Sequence, residues 1–261
     1  MYPHFLGIGV PKAGTTWLYE NLRQHPQIWL PPVKEIHYFE RPKYPYLLDL
    51  FHVDSQKRFL LHRWLKPALS DSRQHPRRLN WHLRFFLLPR SWRWYGSLFK
   101  PDVGQLAGDI TPTYCTLPGA AIAHVARFMP EAKLILILRD PVERIWSHAA
   151  MYFRRYGQNG IENANQAEVE AFLRRLDVRA RGDYDGMIGR WRAYYPTEQL
   201  FIGQYEDLSA DPTQFFHTIC NFLNIEPLTP PGVAQRVHSG RYPQIPAWAR
   251  NVVENAHVSN S

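Results

Sequence analysis

At 261 residues, with 45% hydrophobic and 21% charged side chains, the chain suits one sizeable core, and its composition excludes a disordered, collagen-like or coiled-coil protein. The 31 Lys and Arg against 23 Asp and Glu give a net charge of +8, which favours an anionic partner: nucleotide, acidic glycan, nucleic acid or anionic membrane. Two cysteines, Cys115 and Cys220, make neither a disulfide framework nor a CxxC metal pattern, so a reducing, cytoplasmic setting is expected.

The first residues lack the basic stretch and long apolar run of a signal peptide, and nothing further on reaches the ~18 apolar residues of a membrane span. A soluble protein is expected. Phe5 to Val10 is a short apolar run typical of a buried strand. It breaks at Pro11-Lys12-Ala13-Gly14, and Thr15 to Gln24 follows as a helix. Ile28 to Leu30 and Gln105 to Ile110 are weaker strands.

Between them, Arg73 to Lys100 carries seven Lys and Arg and no acidic residue, interleaved with Trp81, Trp92 and Trp94. It is expected to be a partly helical insertion (about 70–101) over the sheet edge. Three roles are open to it. It could be an acceptor lid with stacking Trp rings. It could be a peripheral membrane patch that dips Leu83, Phe85, Phe86, Leu87 and Leu88 into lipid. Or its apolar side chains could simply be core.

Lys133 to Leu138 is a second buried strand, followed by Arg139-Asp140-Pro141 and a helix from about Val142 to Arg155. There Asp140 caps and Pro141 takes the first helical position. The Gln- and Asn-rich stretch from Gly157 to Glu170 is expected to be a mobile loop at the cleft rim. Gln199 to Gln204 is a third strand and Pro212 to Leu223 a helix. Alternating strands and helices predict a single-domain α/β fold over 1–261, a P-loop-like parallel sheet flanked by helices. Ligands of such sheets bind beyond the carboxyl ends of the strands, so Pro11 to Thr16 and Arg139 to Pro141 should face one cleft.

Gly9-Val10-Pro11-Lys12-Ala13-Gly14-Thr15-Thr16-Trp17 has the glycine spacing of a phosphate loop, GxxxxG. A glycine-rich turn between strand and helix offers backbone N–H groups and a positive helix end to a phosphate. Thr15 stands where a nucleotidase carries its Lys, and the Lys lies earlier, at Lys12.

Pro11 to Leu18 resembles the 5′-phosphosulfate loop of sulfotransferases that use 3′-phosphoadenylyl sulfate (PAPS). Leu138-Arg139-Asp140-Pro141-Val142-Glu143-Arg144-Ile145-Trp146-Ser147 resembles the same family's 3′-phosphate element. The resemblance implies that Lys12, Ala13, Gly14, Thr15, Thr16 and Trp17 hold the phosphosulfate while Arg139 and Ser147 grip the 3′-phosphate.

Lys34-Glu35-Ile36-His37-Tyr38-Phe39-Glu40 resembles the Lys-Glu-x-His-Phe-Phe stretch of the heparan sulfate N- and 3-O-sulfotransferases, which implies Glu35 as general base. His37 is the other candidate base, since imidazole titrates near neutral pH. Gly108 to Tyr114 resembles a stretch that lies near the acceptor in this family. Gly182-Asp183-Tyr184, Trp191 and Gln204 to Pro212 resemble a downstream block, expected to be structural. His238-Ser239-Gly240-Arg241-Tyr242-Pro243 resembles a loop that closes on the cofactor, although the family's leading Lys is absent. Ser239, Gly240, Arg241 and Tyr242 are its candidate contacts.

The implied reaction is metal-free sulfuryl transfer from PAPS to a hydroxyl or amine of a small-molecule, glycan or glycolipid acceptor, with Lys12 stabilising the leaving phosphate. The competing readings are a P-loop kinase using ATP and Mg²⁺ and a basic polyanion-binding module. The kinase lacks its Lys after Gly14 and a clear Walker-B Asp. No nucleic acid is expected as partner.

Overall fold

The computed structural model describes residues 1–40, 68, 70, 78–156, 160–235 and 243–258. Five parallel strands form its centre: β1 (Phe5–Gly9), β2 (Ile28–Trp29), β3 (Leu106–Ile110), β4 (Lys133–Leu138) and β5 (Leu200–Gln204). They lie in the order β2-β3-β1-β4-β5. β1 and β4 are almost wholly buried, which is why both are continuous apolar runs.

The described helices are α1 (Thr15–Leu22), α2 (Leu79–Leu87), α3 (Trp92–Ser97), α4 (Gly119–Phe128), α5 (Pro141–Tyr156), α6 (Gln166–Leu173), α7 (Leu176–Arg179), α8 (Tyr184–Arg192), α9 (Tyr205–Ala210), α10 (Pro212–Leu223) and α11 (Ala247–Val258). Trp17 of α1 packs edge-on against Phe215 and Phe216 of α10, and α4 packs on α8. After β1 the chain moves toward β2, and after β4 it moves toward β5. With right-handed crossovers the two connections leave on opposite faces, so a crevice opens between the ends of β1 and β4.

Pro141 begins α5, and the Asp140 carboxylate accepts the Glu143 N–H at 2.8 Å, as the cap predicts. One expectation needs correction. Residues 160–170 are not a loop: a 3-10 turn (Ile161–Asn163) leads into α6. Val169, Phe172 and Leu173 bury against Val142, Ile145, Ala149 and Phe153 of α5 in a second core cluster. Polar composition hid the start of this helix and its buried Val169; 157–159 lie outside the described residues.

In the basic segment, described from Arg78 onward, several large rings are core, one of the three roles left open by the sequence. Trp81 and Trp94 are buried, and their indole N–H groups donate to Leu98 O and Arg84 O, both at 2.8 Å. Phe85 and Phe86 are also buried, so of the five residues assigned to lipid only Leu83, Leu87 and Leu88 are exposed. The segment contributes its large rings to the main core.

Candidate active site

The chain leaves β1, turns through Lys12 at φ 75 and Gly14 at φ 82, and enters α1. A Cβ on Gly14 would stand 2.5 Å from Leu208 Cδ2, so both the dihedral and the close approach require glycine there. No side chain caps α1, and its first turn offers N–H groups that have no partner within the helix. Ala13 is fully buried and Thr15 nearly so. Lys12 Nζ lies 3.8 Å from Met151 Sδ on α5, which brings the ammonium across the crevice.

Arg139 follows β4 directly. One guanidinium nitrogen donates to Lys12 O at 3.2 Å, so the two loops that the sequence placed at one cleft do meet. The guanidinium lies over the Tyr205 ring at 4.7 Å and pairs with Glu143 at 3.6 Å. Its own carbonyl accepts the Tyr184 hydroxyl at 2.6 Å. Tyr184 and Tyr205 belong to the downstream block read as structural; here they set the height and tilt of Arg139. Ser147 is buried on α5.

Trp17 does not turn its ring to the crevice. The indole is buried in the core and donates to Val233 O at 2.7 Å, while Trp146 on α5 donates to Pro243 O at 2.8 Å. Ser239, Gly240, Arg241 and Tyr242 lie outside the described residues.

The second part of the site is the segment after β2. Glu35 and His37 both take left-handed backbone, at φ 66 and 54. Ile36 and Tyr38 between and beyond them are buried, whereas Glu35 and His37 keep part of their side chains exposed. Lys34 Nζ is 2.6 Å from Glu35 Oε1, and His37 Nε2 is 3.3 Å from Glu35 Oε2. On its other side His37 Nδ1 meets Glu40 Oε1, which also accepts the Thr113 hydroxyl at 2.7 Å.

Burial works against a charge on His37, but the hydrogen bonds and fields of Glu35 and Glu40 outweigh it, and its pKa is raised above 6.5. Both carboxylates thus stabilise the charged form of His37 relative to a free imidazole. The partnership of Glu40 and Thr113 was missed; the only sequence hint was Glu40 three residues after His37.

Beneath this segment lies Asp109, fully buried at the end of β3. Its carboxylate accepts hydroxyls from Thr111 at 2.8 Å, Tyr95 at 2.9 Å and Tyr114 at 3.1 Å. Burial pushes its pKa up to about 6 despite these donors.

A phosphate loop without its usual Lys, joined across a switch-point crevice by a strand-end Arg, agrees with a match of residues 3–230 to the Sulfotransferase family. The chain belongs to the sulfotransferase family. Carbohydrate sulfotransferase 15 of Mus musculus is 27% identical over 266 residues, covering 87% of this chain and 44% of that protein. Bifunctional heparan sulfate N-deacetylase/N-sulfotransferase 3 of Homo sapiens is 27% identical over 235 residues, covering 86% of this chain and 22% of that protein. The chain thus spans less than half the length of these curated relatives.

Among solved structures, a sulfotransferase from Alicyclobacillus acidocaldarius superposes with a TM-score of 0.63 at 22% identity, over 92% of this chain and 87% of that one. The sulfotransferase domain from the curacin biosynthetic pathway gives 0.57 at 19% identity, over 95% and 82%. These two likenesses establish the shared sulfotransferase fold.

Proposed function

We propose that this family member transfers a sulfuryl group from PAPS to a hydroxyl or amine of a glycan acceptor. The observation that carries the reading is the meeting of the two loops, Arg139 donating to Lys12 O at 3.2 Å across the crevice. Membership of the sulfotransferase family and the carbohydrate and heparan sulfate relatives support it.

The donor set fits a phosphosulfate nucleotide: helix-start N–H groups, Thr15 and Thr16 hydroxyls, one ammonium and one guanidinium suit anionic oxygens. PAPS supplies an activated sulfuryl group whose departure leaves a phosphate. Lys12 and the first-turn amides of α1 would bind that phosphate and stabilise the charge that collects on its leaving oxygen. Arg139 and Ser147 would hold the 3′-phosphate and fix the nucleotide's direction along the crevice. Glu35 would take the proton from the acceptor's oxygen or nitrogen as the new bond to sulfur forms and the old bond to phosphate oxygen breaks. Lys34 and His37 hold the two Glu35 oxygens in place for that transfer.

The test is a thermal-shift titration with adenosine 3′,5′-bisphosphate in EDTA beside ATP with Mg²⁺. Saturation at 100 times the dissociation constant should stabilise the fold by about 2.7 kcal/mol. Stabilisation by the bisphosphate, weakened about 10- to 100-fold in affinity by Arg139→Ala, is the expected result. Stabilisation by ATP and Mg²⁺ alone would overturn the proposal in favour of a kinase.

A further inference from the structure

We infer that Tyr114 is a positioning residue: its hydroxyl, held by the Asp109 carboxylate, accepts the Tyr38 N–H and so fixes the backbone that carries Glu35 and His37. The inference rests on the proposed role of Glu35 as the base.

Two left-handed residues other than glycine, separated by one position, are unfavourable by about 1–3 kcal/mol each and persist only where the surroundings hold them. Ile36 and Tyr38 are the inward anchors of this segment. Tyr38 is held through both its ring and its backbone. Its ring stacks on Tyr95 at 4.7 Å and 15°, and its N–H donates to Tyr114 Oη at 2.9 Å.

Both tyrosines converge on the same atom, Asp109 Oδ2, at 2.9 Å from Tyr95 and 3.1 Å from Tyr114. Because Tyr114 gives its proton to Asp109, its oxygen presents lone pairs to the Tyr38 N–H. Thr111 fixes the other carboxylate oxygen at 2.8 Å. Phe39 closes the cage, 4.8 Å from the Tyr114 ring and 5.2 Å from that of Tyr95. Asp109 sits on β3, which pairs with β1, the strand that ends in the phosphate loop. The chain Asp109, Tyr114, Tyr38 therefore refers the base to the same sheet that sets the phosphate loop.

The test follows the His37 ring by nuclear magnetic resonance, its signal identified by loss in His37→Gln. The charged groups that act on His37 include Glu35 and Glu40 on its own segment and Asp109 from β3, with the Thr113 hydroxyl beside it. Tyr114→Phe keeps the ring against Phe39 and deletes the acceptor. The His37 midpoint should fall toward that of a free imidazole as the Glu35 contact, which raises it, loosens. Tyr95→Phe, which removes the other tyrosine hydroxyl from Asp109, should leave the midpoint in place. An unchanged midpoint in folded Tyr114→Phe, or an equal fall in Tyr95→Phe, would overturn the inference.

A second measurement needs no variant. The Tyr38 amide in the wild type should exchange with deuterium at least roughly 100-fold more slowly than in an unstructured chain; exchange at the unstructured rate also overturns it. Calorimetry with adenosine 3′,5′-bisphosphate should give Tyr114→Phe the wild-type affinity. A wild type that does not bind the nucleotide sinks the sulfotransferase reading but leaves the His37 and Tyr38 results to judge the positioning role.

Discussion

The phosphate loop and the Glu35 segment both pass through left-handed backbone at residues other than glycine, Lys12 in one and Glu35 and His37 in the other. They are held in different ways. The loop is short, bounded by a buried strand and the first turn of a helix, and its glycine fits against Leu208. The Glu35 segment follows a two-residue strand and takes its shape from groups far along the chain, Thr113 and Tyr114 above a buried Asp109. A site half can thus be built by local geometry, or by side chains that tertiary packing delivers. The first kind leans mainly on its flanking strand and helix, whereas the second fails when its remote supports are removed.

The largest expected effect separates the two halves by function. Glu35→Gln should lower turnover on any glycan acceptor that the wild type sulfates by roughly 10²- to 10⁴-fold, the range for loss of a general base. Affinity for adenosine 3′,5′-bisphosphate should stay within about twofold. Equal loss of both would mean that the halves are not separable.

The next effect probes the remote support through pH. A carboxyl with a higher pKa folded than unfolded binds protons more readily in the folded state. Its stabilising contribution is full below the unfolded value of 3.8 and is lost as pH rises through about 6. For Asp109 the difference amounts to about 3 kcal/mol. Urea unfolding at pH 4 and pH 7 should therefore show the wild type losing up to about 3 kcal/mol more than Asp109→Asn, which carries no titrating group there. Parallel slopes would show that the folded state does not resist ionisation at this position.

The smallest effect tests the local half. Gly14→Ala adds a Cβ at positive φ and against Leu208, and should reduce stability by about 1–2 kcal/mol. In the Leu208→Ala background only the dihedral penalty should remain. If Gly14→Ala is as harmful in that background as in the wild type, the close approach contributes nothing.

The sequence by itself determined the parallel sheet, the strand–turn–helix units at Pro11–Thr16 and Arg139–Pro141, and their convergence on one crevice. Each follows from contiguous residues: apolar runs of strand length, a glycine at a turn, a Pro at the first helical position. Where the reading failed, composition had stood in for pattern. The loop expected over 157–170 hid Val169, which is buried; for Trp81, Trp94, Phe85 and Phe86 the basic composition left lid, membrane and core roles open, and their burial agrees with core. Only the tertiary structure decided that Trp17 turns into the core, that Tyr184 and Tyr205 support Arg139, and that Glu40 and Thr113 join His37. It also decided that one buried carboxylate holds both tyrosines behind Glu35. The physical reason is range. Backbone conformation responds to neighbouring residues, whereas the partner of a buried hydroxyl or imidazole is chosen by distant strands and turns, 76 positions apart for Tyr38 and Tyr114.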